Sequence, residues 1–153
     1  MKRDLEAGFG DTEGGPQIPA GTNMFQRTTR QITVSVRPAY LADQSAPDSN
    51  HFFWAYSVLI ENGGPETVQL RARYWRIIDA NGRTMEVKGA GVVGQQPILR
   101  PGETFEYKSG TPLETPSGMM LGAYQMQTAD GQAFQIDIPV FPLDSPHEIR
   151  SVH

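Results

Sequence analysis

The chain of 153 residues contains no cysteine. That excludes disulfides, thiolate metal ligands and a cysteine nucleophile, and leaves packing and hydrogen bonds to hold the fold. Histidine is scarce as well: His51, His147 and His153 are dispersed, whereas a transition-metal site needs several converging ligands. No metal or other cofactor is therefore expected. The apolar runs are far shorter than the ~20 residues that span a bilayer, so membrane insertion is not expected. The opening MKRDLEAGFGDTEGG places acids directly after Lys2 and Arg3 and has no apolar stretch, unlike a secretory signal. Positive charge is also in deficit, 13 Lys and Arg against 17 Asp and Glu for a net charge of -4, which gives no general field for nucleic acid. Together these absences fit a protein of the reducing cytoplasm.

Glycine and proline, in contrast, are plentiful at 16 and 12, enough to interrupt helices repeatedly while suiting short strands joined by turns. Residues 1–28 hold many glycines and prolines and few large apolar groups, a composition that reads as a flexible N-terminal tail. From Thr29 the pattern alternates, with Ile32, Val34 and Val36 on one face, as in a half-buried strand. HFFWAYSVLIEN, His51 to Asn62, is rich in aromatic and β-branched residues and reads as a central strand, stopped by Gly63-Gly64-Pro65. In Thr67 to Asp79 the alternation puts Val68, Leu70, Ala72 and Tyr74 inside and Gln69, Arg71 and Arg73 outside. Asn81-Gly82 predicts a type I′ hairpin into a strand over Arg83 to Val87. Pro101-Gly102 suits a type II turn before Thr104 to Lys108, and Asp130-Gly131 parts strands near Leu121 to Gln127 and Ala133 to Phe141. The expectation is an all-β fold, an immunoglobulin or fibronectin type III-like antiparallel β-sandwich of about seven or eight strands over 29–144, followed by a loose tail over 145–153.

The segment KGAGVVGQQPILRPGE, Lys88 to Glu103, offers a GxGxxG triplet in the wrong company. A dinucleotide fingerprint opens a helix and a phosphate loop ends in Gly-Lys-Ser or Gly-Lys-Thr, but here Gly94 leads into Gln95, Gln96 and Pro97. Two readings stand. Successive backbone N–H groups at Gly89, Gly91 and Gly94 form an anion site for pyrophosphate or a dinucleotide, with Lys88, Arg83 and Arg100 adding charge; or the segment is a bent inter-strand loop that contacts a protein partner. Arg71, Arg73 and Arg76 are split between faces by the period of 2, which weakens a phosphate-surface reading. Trp54 and Tyr56 share a strand face and suit inter-sheet packing better than base stacking. Ser109-Gly110 and Ser117-Gly118 lack a nucleophile elbow and a nearby histidine, and Asp137 and Glu106 read as ordinary strand acids. No catalytic residues are assigned, and an enzyme is not expected.

Residues from about Thr29 to Asp144 resemble the bacterial ApaG family. The resemblance rests on YWRIIDANGRTMEVKGAGVVGQQPILRPGETFEYKSGTPLETPSGMMLGAYQM followed by GQAFQIDIPVFPLDSP. It implies a fibronectin type III-like sandwich, a setting in cobalt tolerance and magnesium efflux, and, by analogy with eukaryotic relatives, protein binding. The family's signature loop falls on Gly89, Gly91, Val92, Val93, Gly94, Gln96 and Pro97. With Lys88 and Arg100, these are the candidate contacts for an unidentified protein partner or, in the alternative, for phosphate.

Overall fold

The computed structural model describes residues 23–147. Residues 1–22 and 148–153, where most of the two expected tails fall, lie outside the described residues. The described residues form nine strands: β1 (Phe25–Thr29), β2 (Ile32–Tyr40), β3 (Phe52–Asn62), β4 (Val68–Asp79), β5 (Thr84–Ala90), β6 (Ile98–Leu99), β7 (Thr104–Leu113), β8 (Gly118–Thr128) and β9 (Ala133–Leu143). One antiparallel sheet has the order β1-β2-β3-β7, and the second runs β5-β4-β8-β9 with β6 also paired to β4. The two pack as a sandwich.

Alternation along the strands builds the core between the sheets. Trp54 and Tyr56 of β3, Trp75 of β4, Tyr124 and Met126 of β8 and Phe141 of β9 are each at most 1% exposed. Trp75 meets Phe141 edge-on at 6.1 Å and Tyr56 at 5.3 Å, so aromatic rings from both sheets interlock. Each such side chain contributes about 1.5–3 kcal/mol by leaving water. The buried indole of Trp54 keeps its N–H satisfied by donating to the Asp144 carbonyl at 2.8 Å.

The two seams of the sandwich differ. On one side β1 and β2 pack against β9, where the Asp137 N–H donates to Thr29 Oγ1 at 3.2 Å and Arg27 pairs with the Asp137 carboxylate at 3.1 Å. On the other side a cleft of about 460 Å³ opens between Ile77 and Met85 of one sheet and Pro112 and Leu113 of the other.

Turn chemistry departs from expectation in two places. The β1–β2 hairpin turns on Arg30 and Gln31, with φ of 52° and 68°. That is type I′ geometry built without the asparagine or glycine that announces it, which is why the sandwich begins at Phe25 and not at Thr29. At the β4–β5 hairpin Gly82 alone has positive φ, Gly82 N–H donates to Asp79 O, and Asp79 N–H donates to Arg83 O. This is a three-residue loop with a glycine bulge and not the expected type I′ turn, because the Asp79 carboxylate takes the N–H groups of Asn81 and Arg83 and holds the wider loop. The Pro101-Gly102 turn matches expectation, with Gly102 at φ 85° and Glu103 N–H donating to Arg100 O. Beyond β9 the chain stays attached: Ser145 Oγ donates to Pro116 O at 2.6 Å and the His147 ring lies 5.8 Å from that of Tyr40. Of the tail expected from 145, the described residues 145–147 thus touch the sandwich through the Ser145 hydroxyl and the His147 ring.

Candidate functional site: a clamped glycine hairpin

The geometry begins in β4. Val68 and Leu70 face the core, and then the pairing with β8 slips between Leu70 and Ala72. This β-bulge inserts Arg71 and reverses the phase of everything after it. Arg73, Trp75 and Ile77 consequently point inward, with Arg73 only 7% exposed, while Ala72 and Tyr74 turn outward. The expectation that Ala72 and Tyr74 are buried and Arg73 exposed is thus overturned, since a shift of one residue moves every side chain to the other face.

Opposite that bulge the edge of the sheet is interrupted. β5 pairs with β4 up to Ala90↔Ala72, and β6 resumes the same edge at Ile98↔Gln69. Residues 91–97 leave between these two feet as a small hairpin. Val92 and Gln95 exchange two N–H···O bonds of 2.8 Å, and the turn between them places Val93 at φ 41° and Gly94 at φ 79°. A β-branched residue at positive φ is rare, and Val93 is held there by packing against the core.

The bulged strand clamps the hairpin. The Arg71 carbonyl accepts from Gly91 N–H at 2.9 Å and from Gln96 Nε2 at 2.8 Å. Leu70 N–H donates to Pro97 O at 3.0 Å, and Gln69 Nε2 donates to Gln96 O at 3.1 Å. From below, Arg73 Nη1 donates to the carbonyls of Ala90 and Gly91, both at 3.1 Å. Burial lowers the Arg73 pKa from the ordinary arginine value, and the phenols of Tyr107 and Tyr124 draw it partly back. Those two hydroxyls share a buried 2.6 Å hydrogen bond beneath the site.

The glycines answer to this clamp. A Cβ on Gly89 would stand 2.7 Å from Arg73 Nη1, and one on Gly91 would stand 2.2 Å from the Gln95 carbonyl at a φ of 64°. Around Gly94 there is open space, and its φ alone calls for glycine.

The predicted site residues separate into distinct groups. Val92 is fully buried and Val93 half-buried, so both are part of the hairpin's foundation, while Gly94 and Gln96 are exposed and Pro97 is half-buried. Lys88 stands on the outer sheet face with Nζ 5.7 Å from the Tyr74 ring centre. Its partner in the ladder is Tyr74, whereas Arg100 follows Leu99↔Val68; six residues of strand put the two backbone positions about 20 Å apart. Arg83 is at the far end of β5, 3.5 Å from Glu114. The cations expected around the loop do not converge on it. Glu106 and Asp137 lie on different sheets. Among the described residues, no three His, Cys, Asp or Glu side chains group as metal ligands, and no helix is long and apolar enough to cross a membrane.

Sequence reasoning weighed Arg71 and Arg73 only as a surface cluster and missed their clamp role, and it missed Gln69 and Ile98, the latter an apolar side chain 59% exposed beside the hairpin. A signal was present for the clamp. Val68 and Leu70 are apolar at even positions and Trp75 and Ile77 at odd ones, so one residue between them must be extra.

A nine-stranded antiparallel sandwich with a glycine hairpin locked onto a bulged strand defines a fibronectin type III-like domain of a particular build. The ApaG domain profile matches residues 42–128. Protein ApaG of Parvibaculum lavamentivorans is 61% identical over 130 residues, covering 85% of this chain and 100% of that protein. Protein ApaG of Rhodospirillum centenum is 63% identical over 124 residues, 81% of this chain and 95% of that one. The crystal structure of a Bordetella pertussis protein described as ApaA superposes with a TM-score of 0.74 at 47% identity, over 76% of this chain and 95% of that chain. The chain belongs to the ApaG family.

Proposed function

We propose that this protein is a non-catalytic interaction domain that presents the glycine hairpin and the adjoining sheet edge to a protein partner, in a pathway of divalent-cation homeostasis. The observation that carries the reading is the clamp. A hairpin tied down by Arg71, Arg73, Gln69 and Gln96 loses little conformational freedom on docking, and such preorganisation lowers the cost of association. Its upper surface offers Gly94 and the polar Gln95 and Gln96 beside the exposed Ile98, an apolar anchor with a polar rim. The cation-homeostasis setting rests on the family resemblance.

The test is capture of partners from cell extract by the wild type and by Ile98→Lys, followed by titration of the captured protein in purified form. Loss of binding in the variant with an unchanged melting temperature supports the reading; equal binding by both refutes the surface. A cobalt-challenged strain lacking the gene, complemented with either form, reads the physiological setting. The phosphate alternative draws on the same loop, but Gly91 and Val92 already spend their N–H groups on Arg71 and Gln95. Amide shifts at Gly89, Gly91 and Gly94 on adding pyrophosphate or diadenosine tetraphosphate would favour that alternative, and turnover of the dinucleotide would overturn the non-catalytic reading.

A further inference from the structure

Of the strands at the borders of the two sheets, three are guarded against further pairing. β7 contains Pro112, β9 contains Pro139 and Pro142 and is packed by β1 and β2, and β1 is short with Arg27 engaged by Asp137. Proline, charge and coverage are the usual protections of a sheet edge. β5 has no proline and, among the described residues, pairs only with β4.

The hydrogen-bond phase of β5 follows from its ends. Asp79 N–H donates to Arg83 O and Gly91 N–H donates to Arg71 O, so Met85, Val87 and Gly89, in step with them, exchange bonds with β4. Thr84, Glu86 and Lys88 turn their N–H and C=O groups away from the sheet. Glu86 and Lys88 share the outer sheet face, where they flank Tyr74.

We infer that β5 is a self-pairing edge, and that its partner is a second copy of this chain joined antiparallel about a two-fold axis at Val87. In this register Glu86 lies opposite Lys88 of the second copy and Lys88 opposite its Glu86, in hydrogen-bonded positions. Opposite charges directly across a ladder stabilise it. Val87 meets its symmetry mate, and the exposed Met85, 39% accessible, lies opposite Gly89 of the second copy, which has no side chain to oppose it. The neighbouring two-fold registers set Glu86 against Glu86 or Lys88 against Lys88, a like-charge pair on the axis, so charge alone selects the register. An isologous contact of this kind closes on itself and joins the two β5-containing sheets into one. Each glycine hairpin emerges past the end of the pairing and is not consumed by it.

The test is sedimentation equilibrium of the full chain from micromolar to millimolar concentration. The wild type is expected to approach twice its 16.9 kDa. Lys88→Glu and Glu86→Lys, each of which sets like charges opposite one another twice, are expected to weaken the dimer roughly tenfold or more. The double exchange Glu86→Lys with Lys88→Glu is expected to restore it, and raised salt to weaken the wild-type dimer. Far-UV circular dichroism identifies any variant that fails to fold, and the remaining single variant then carries the comparison. A wild type monomeric at the highest concentration, a dimer indifferent to both single variants, or a double exchange that fails to recover overturns the proposal. Ile98→Lys, the variant that reads partner docking, is expected to dimerise as the wild type does, so the two readings fail separately.

Discussion

Replacing Arg73 by methionine removes the guanidinium beneath the glycine hairpin while keeping much of the side chain's volume. The two bonds from Nη1 to the carbonyls of Ala90 and Gly91 have a charged donor, and such bonds contribute about 1.5–3 kcal/mol each. Their loss therefore amounts to about 3–6 kcal/mol. Against it stands the cost of burying a cation, reflected in the lowered Arg73 pKa, which the methionine no longer carries. A net destabilisation of about 2–3 kcal/mol remains, and for a chain of this size that lowers the melting temperature by roughly 5–10 °C. Calorimetry reads the global effect and amide hydrogen exchange reads the local one, with Gly91 and Val92 exchanging faster than amides of β3 or β8. Arg73→Lys, which keeps the charge but not the planar fork, is expected to fall between the two. Wild-type melting together with wild-type exchange at Gly91 and Val92 in Arg73→Met would refute the clamp.

Gly91→Ala is expected to cost more than 2 kcal/mol by urea titration, because its Cβ meets the Gln95 carbonyl at 2.2 Å as well as incurring the roughly 1–2 kcal/mol penalty of a left-handed backbone. Gly94→Ala, with open space around it, is expected to pay only that penalty. Gln31→Gly relieves a φ of 68° in a type I′ turn and is expected to stabilise the domain by about 1 kcal/mol in the same assay. Tyr74 donates to Glu86 Oε2 at 2.7 Å, a bond that raises its pKa above the usual 10.0. The bond's stabilisation is therefore present below pH 10 and lost as pH rises through the folded value, and an NMR titration should return Tyr74 toward 10.0 in Glu86→Ala.

The strands with apolar periodicity were legible in the sequence. Val34 and Val36 of β2, Trp54 and Tyr56 of β3 and Ile136 and Ile138 of β9 announce buried faces, and all are buried. Polar β1, FQRTT, has little periodic signal, and its hairpin is made by Arg30-Gln31, residues with no turn preference; only pairing with β2 and packing against β9 make it a strand. The phase of β4 departs from the simple alternation begun at Val68 because the bulge at Arg71 inserts one residue, a break that apolar Trp75 and Ile77 signal. For the site, the glycine segment was recognisable but its support was not. Arg73 acts from 18 residues away through a carbonyl of Gly91, and no local pattern links the two. The expected gathering of Lys88 and Arg100 failed for a related reason: neighbours in sequence around a loop were set apart by the length of β4.

The seam where β1 and β2 meet β9 has a temporal meaning. Thr29 and Asp137 are joined across 108 positions, and Trp54 reaches Asp144 across 90, so a nascent chain cannot close its sandwich until β9 has left the ribosome. Until then the aromatic face of β3 lacks the cover that Phe141 of β9 gives to Tyr56. Folding dominated by such long-range closure is slow. In the cell, the emergence of β9 sets the moment at which this sandwich can close.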